Sequence, residues 1–247
     1  MHMLLMLAVL AAVFFVAIVA MCIYRHKLDN PLINRLFLVA TAVTFFAWNY
    51  AGYELGWLKD GFMTLENISP FICTVILLTP FMRGKVRDYA YSCIAFLALG
   101  MFLALFISPS AEYLTEYTHR ATFVYAAEAS CHLVMALYGL YLVLSGKVGL
   151  ELRDMGKGVT FIYAAILYGV FLNLCFHRSN FGMNMYGRYR IYFLEIFGSF
   201  EATLLAYLAG VLATVAGGFL FALLIDWVAR GTRVKAEAVE PVFVTEA

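Results

Sequence analysis

The sequence predicts an all-α polytopic membrane protein, a bundle of seven transmembrane helices with its N-terminus outside and its C-terminus inside. Composition is the first reason. Apolar residues make up 64% of the 247-residue chain and charged ones only 13%, against about 45–50% and about 25% in soluble proteins. A soluble domain of this size lacks the interior to hide so much apolar surface. Clustering is the second reason: the apolar residues form seven stretches, and about 20 residues of helix cross a hydrocarbon core of about 30 Å. The third is the collection of basic residues in alternate loops.

The spans fall near 3–24, 32–56, 66–82, 88–108, 121–145, 157–177 and 200–229. Each is apolar all round rather than alternating, so helices are expected and strands are not. No charge precedes the first stretch, while Arg25, His26 and Lys27 follow it, so it reads as a retained span and not a signal peptide. The run Val19-Ala20-Met21-Cys22 lacks the small residue that a lipoprotein cleavage site needs before its cysteine. The third span is short and holds Pro70 and Pro80, and the last is long enough to tilt. Ala206, Gly210, Ala213 and Gly217 share one side of that last span and suggest a helix-packing face. Residues 1–230 then form the transmembrane domain, and 231–247 a disordered cytoplasmic tail.

Charge sets the orientation. Loop one carries Arg25, Lys27 and Arg35, loop three Arg83, Lys85 and Arg87, and loop five Lys147, Arg153 and Lys157. The tail begins with Arg230, Arg233 and Lys235. Loops two and four set Glu54, Asp60 and Glu66 against Lys59, and Glu112 and Glu116 against Arg120. The odd-numbered loops and the C-terminus are therefore expected on the inner side. Loop six departs from the pattern, with His177, Arg178, Arg188 and Arg190 against Glu195. Such a rim either meets lipid phosphates at the interface or binds an anionic head group or carboxylate. A formal net charge of +1 offers no electrostatic case for nucleic acid. Five cysteines, an odd number, show neither CxxC nor zinc spacing, so no metal, cofactor or disulfide framework is expected.

Glu128 and His132, one turn apart on the fifth span, are the polar groups that lipid tolerates least. At about 1.5 Å per residue, Glu128 lies about 10 Å below the outer boundary and His132 about 16 Å. Cys73 and Asn49 lie about 10 Å deep and Asn173 about 6 Å, beneath the basic loop six. A pocket opening outward, or sideways into the outer leaflet, would gather them. Each also has a plainer reading, cysteines as small packing residues and asparagines as interhelical hydrogen bonds.

Span three reads Asn67-Ile-Ser-Pro70-Phe-Ile-Cys73-Thr74, span five Ser130-Cys131-His132-Leu, and Asn180-Phe181-Gly-Met-Asn184 follows span six. Together these resemble the YwaF-like bacterial integral membrane proteins and their animal relatives, the transmembrane acyltransferases and, more distantly, the androgen-induced lipid hydrolases. The likeness covers about residues 45 to 220, with Cys73 and His132 separated by 59 positions. Phe71-Ile72 stands where bacterial members often carry a histidine, and Phe181 where they carry a tyrosine. The resemblance implies acyl transfer or ester hydrolysis on outer-leaflet lipids. Cys73 would be the nucleophile, His132 its base and Glu128 the support of the imidazolium, with Thr74 in reserve. Asn49 and Asn173 would donate to the oxyanion, and His177, Arg178, Asn180, Arg188 and Arg190 would hold the head group. The alternative is a small proton- or substrate-binding carrier using Glu128 and His132, although neither internal repeats nor paired broken spans support it. Retinal lacks a lysine in span seven, and haem lacks a second histidine at the level of His132.

Overall fold

The structure, a computed structural model, describes residues 2–54, 68–107, 119–176, 196 and 198–237. Among them run seven α-helices: α1 (His2–Ile23), α2 (Pro31–Glu54), α3 (Ile68–Leu78), α4 (Gly84–Ile107), α5 (His119–Leu144), α6 (Leu152–Phe176) and α7 (Phe200–Glu237). The described residues hold no strand.

Local chemistry explains the helix ends. Asn30 caps α2 by accepting the Leu32 N–H at 2.9 Å, and Pro31 then fills the first helical position, where a missing N–H costs nothing. Pro80 disturbs the continuation of α3, which tightens into a 3-10 turn over Thr79–Phe81. Gly146, at φ +76°, turns the chain off α5, and the N–H groups of Gly146 and Val148 meet the Val143 and Leu142 carbonyls. Ser199 caps α7 through the Ala202 N–H at 3.1 Å.

α4 is the centre of the bundle and packs against α5, α6 and α7, while α2 lies on α5 and α3. Its run from Cys93 to Leu99 is buried on every side, as expected of a helix that is apolar all round. Large apolar side chains face outward instead on the surrounding helices: Phe15 on α1, Phe46 on α2, Phe171 on α6, and Leu205 and Trp227 on α7. Soluble proteins seldom leave so much apolar surface open, and lipid is the solvent that suits it. Among the described residues, four helices are long and apolar enough to cross a membrane, at Pro31–Glu54, Gly84–Ala104, Ala126–Leu144 and Phe200–Arg230. The apolar segments Ala8–Ile23 and Ile68–Phe81 are shorter.

Two expectations need correction. α7 continues to Glu237, so helix replaces disorder in the first part of the supposed tail. The small-residue face of α7 is also rotated. A Cβ on Gly210 or Gly217 would meet nothing, whereas one on Gly218 would overlap the Phe96 carbonyl and one on Gly100 the Thr214 carbonyl. Thr214 and Gly218, one turn apart, therefore form the seam against α4. Small residues lie on several sides of α7, and their spacing alone does not say which side is covered.

Loop one, loop five and the end of α7 meet at one end of the bundle. The Arg25 guanidinium pairs with Asp226 at 2.8 Å and donates to the Leu144 carbonyl at 3.1 Å. Arg230 takes the other Asp226 oxygen at 2.7 Å, and Lys147 pairs with Asp29 at 2.8 Å. Loop one, loop five and the end of α7 are thus tied together, as their shared basic character suggested.

Candidate functional site

Toward the opposite end, α2, α3 and α5 converge on His132, which is 5% exposed. Its Nδ1 lies 2.9 Å from the main-chain carbonyl of Glu128, and its Nε2 lies 2.8 Å from the Ser69 hydroxyl. A carbonyl only accepts, so Nδ1 carries the hydrogen, and in the neutral ring Nε2 accepts from the serine. The bond to Glu128 spans one turn of α5 and orients the ring. Trp48 from α2 packs beside it, with ring centroids 5.8 Å apart. A hydroxyl, a base on that hydroxyl, and a third group fixing the base make the arrangement required of an activated nucleophile.

Cys73 has different neighbours. Its sulfur lies 3.2 Å from the Cys131 sulfur and 3.3 Å from the Met135 sulfur. The expected thiol–imidazole pair is therefore replaced, because both ring nitrogens of His132 are engaged by Ser69 and by Glu128. The reason is helical register. Cys131 and His132 are consecutive and project about 100° apart, so when Cys131 faces Cys73, His132 meets α3 one turn higher, at Ser69. Glu128 supports the ring with its backbone; its side chain is half-buried.

The other candidates either bond their own helix or lie outside the described residues. Asn49 is buried on α2 beside Trp48, and its amide donates to the Phe45 carbonyl at 2.9 Å. The Thr74 hydroxyl donates to the Pro70 carbonyl at 2.8 Å. Asn173 lies on α6, but its side chain is outside the described residues, as are His177, Arg178, Asn180, Arg188 and Arg190. Ser69 is the residue that sequence reasoning missed. It stands four positions before Cys73 on the same face of α3, but the resemblance that singled out Cys73 gives it no role. Among the described residues, no three His, Cys, Asp or Glu side chains gather as a metal site.

The class these features define is a helical membrane protein with a buried serine–histidine pair. No family model, curated protein or solved structure matches the chain.

Proposed function

We propose that the protein moves acyl groups on membrane lipids, as a transferase or an ester hydrolase, with Ser69 as nucleophile and His132 as general base. The observation that carries this reading is the 2.8 Å contact between the Ser69 hydroxyl and His132 Nε2, with Nδ1 held on the Glu128 carbonyl. The Ser69 oxygen attacks the ester carbonyl while its proton passes to Nε2. The tetrahedral intermediate collapses, His132 returns the proton to the departing lipid hydroxyl, and an acyl-serine remains. Water or a second hydroxyl then repeats the sequence in reverse roles. The Glu128 carbonyl accepts from Nδ1 throughout and steadies the imidazolium that forms.

Membrane placement belongs to the same proposal. Seven spans with the N-terminus outside, in a bacterial inner membrane, put Ser69 and His132 in the outer half of the bilayer and the Asp226 cluster at the cytoplasmic face. The likeness of spans three and five to the YwaF-like proteins supports lipid esters as the substrate class, as do the arginines of loop six, which suit an anionic head group. A carrier built on a Glu128–His132 side-chain pair fits less well, since both ring nitrogens have other partners.

The test is acyl movement from labelled phospholipid by the purified protein and by Ser69→Ala, His132→Ala and Cys73→Ala variants. The expected result is loss in the first two and retention in the third. The expected adduct is an oxygen ester, stable to neutral hydroxylamine and released by alkaline hydroxylamine. A neutral-labile thioester that disappears in Cys73→Ala would return the chemistry to the cysteine.

A further inference from the structure

We propose that Cys73, Cys131 and Met135 form a binding site for a soft monovalent cation, Cu(I), between α3 and α5. Three sulfurs meet there: the Cys73 sulfur lies 3.2 Å from that of Cys131 and 3.3 Å from that of Met135. Their side chains are essentially inaccessible, at 0%, 0% and 1% exposure. Two thiols and a thioether are the donors that favour Cu(I), whereas Mg²⁺ and Ca²⁺ require oxygen.

The scaffold suits the donors. Cys131 and Met135 are one turn apart on one face of α5, a spacing that gives two ligands from a single rigid helix, and α3 adds the third. With metal–sulfur bonds of about 2.3 Å, a trigonal centre holds its sulfurs about 4.0 Å apart. The present contacts are shorter than that by about 0.7 Å, an opening within reach of the unbranched cysteine and methionine side chains. Sulfur contact of this kind adds little to packing that methylenes would not supply. Met135 is the distinguishing element, because a disulfide between the two cysteines would have no use for it.

The binding step balances without a redox partner: one Cu(I) displaces two thiol protons, which leave to water, and the metal is held by two thiolates and one thioether. A bound cation deprotonates coordinating thiols even where burial disfavours a free thiolate. Sequence spacing hides the site, since the donors come from two helices and methionine stands outside the usual cysteine and histidine patterns. The proposal is independent of the acyl chemistry at Ser69.

The experiment uses the full chain in detergent, reduced, with peripheral Cys22→Ser and Cys175→Ala substitutions. Cu(I) is supplied as its coloured bicinchoninate complex. The expected result is capture of one Cu(I) per chain, lost in Cys73→Ser and in Cys131→Ser, and weakened at least about tenfold in Met135→Leu. Met135→Leu conserves volume and keeps the fold, so its weakening separates ligation from misfolding. X-ray absorption should show a sulfur-only shell at about 2.3 Å. The site is overturned by absence of stoichiometric capture, by capture that persists in Cys131→Ser, by a shell containing nitrogen or oxygen, or by a Cys73–Cys131 disulfide that forms in place of metal uptake.

Discussion

Replacing Asp226 by Asn removes the charge on which two arginines converge, and the cost is set by burial more than by distance. Its partners lie at nearly equal range, 2.8 Å for Arg25 and 2.7 Å for Arg230. The Asp226 side chain is 7% exposed, that of Arg25 34% and that of Arg230 72%. Two unit charges at that range attract by about 6 kcal/mol at an effective dielectric of about 20, but by about 1.5 kcal/mol in water. Arg25 sits nearer the first limit and is held by the Leu144 carbonyl as well; Arg230 sits nearer the second. Breaking a buried pair costs about 3–5 kcal/mol and an exposed one about 0–1 kcal/mol. The shape-conserving Asp226→Asn change should then cost about 3 kcal/mol, Arg25→Gln about 2 kcal/mol and Arg230→Gln less than about 1 kcal/mol. Reversible unfolding in mixed micelles, followed by circular dichroism, gives these values. Double-mutant cycles should give a larger coupling for Arg25 with Asp226 than for Arg230 with Asp226. Equal coupling for the two arginines, or an Asp226→Asn variant as stable as the parent, would refute the reading of this cluster as a clamp between loop one, α5 and α7.

Gly218→Ala should destabilise the α4–α7 seam by about 1–3 kcal/mol in the same unfolding assay, because its Cβ would overlap the Phe96 carbonyl. Gly217→Ala, which meets nothing, should leave stability unchanged or raise it. Burial alone would raise the Asp154 carboxyl, yet the Lys157 ammonium and the Glu151 N–H hold it below its ordinary value of 3.8. Its contribution is therefore complete above that value and fades as pH falls through the lower folded value, so acid should destabilise the parent more steeply than Asp154→Asn. Glu128→Gln keeps the main-chain carbonyl that binds Nδ1, and nitrogen NMR should find the same His132 tautomer in both proteins.

Helix existence was readable because apolar runs of about 20 residues have few alternatives once a soluble core is excluded. The apolar runs read from positions 3, 32 and 200 begin within a residue of α1, α2 and α7. Loop charges were equally informative: Arg25, Lys147 and Arg230 were read as lying on one side, and they meet at one end of the bundle. What composition could not supply was rotation about the helix axes. The spacing of small residues put Gly217 on the packing face, where Gly218 touches α4, and the family resemblance put Cys73 beside His132, where Ser69 stands. A shift of one residue on α5, from His132 to Cys131, accounts for the whole rearrangement of the site. The serine carried too weak a signal by itself, since a hydroxyl in an apolar helix commonly bonds its own backbone, as Thr74 does here.

The central claim is that His132 activates Ser69, and a fluorophosphonate probe of serine nucleophiles tests it most directly. Labelling of the detergent-solubilised protein, mapped by peptide mass spectrometry, should fall on Ser69. It should vanish in His132→Ala and persist in Cys73→Ala. Labelling that is absent from Ser69, or that survives unchanged without His132, would contradict the account.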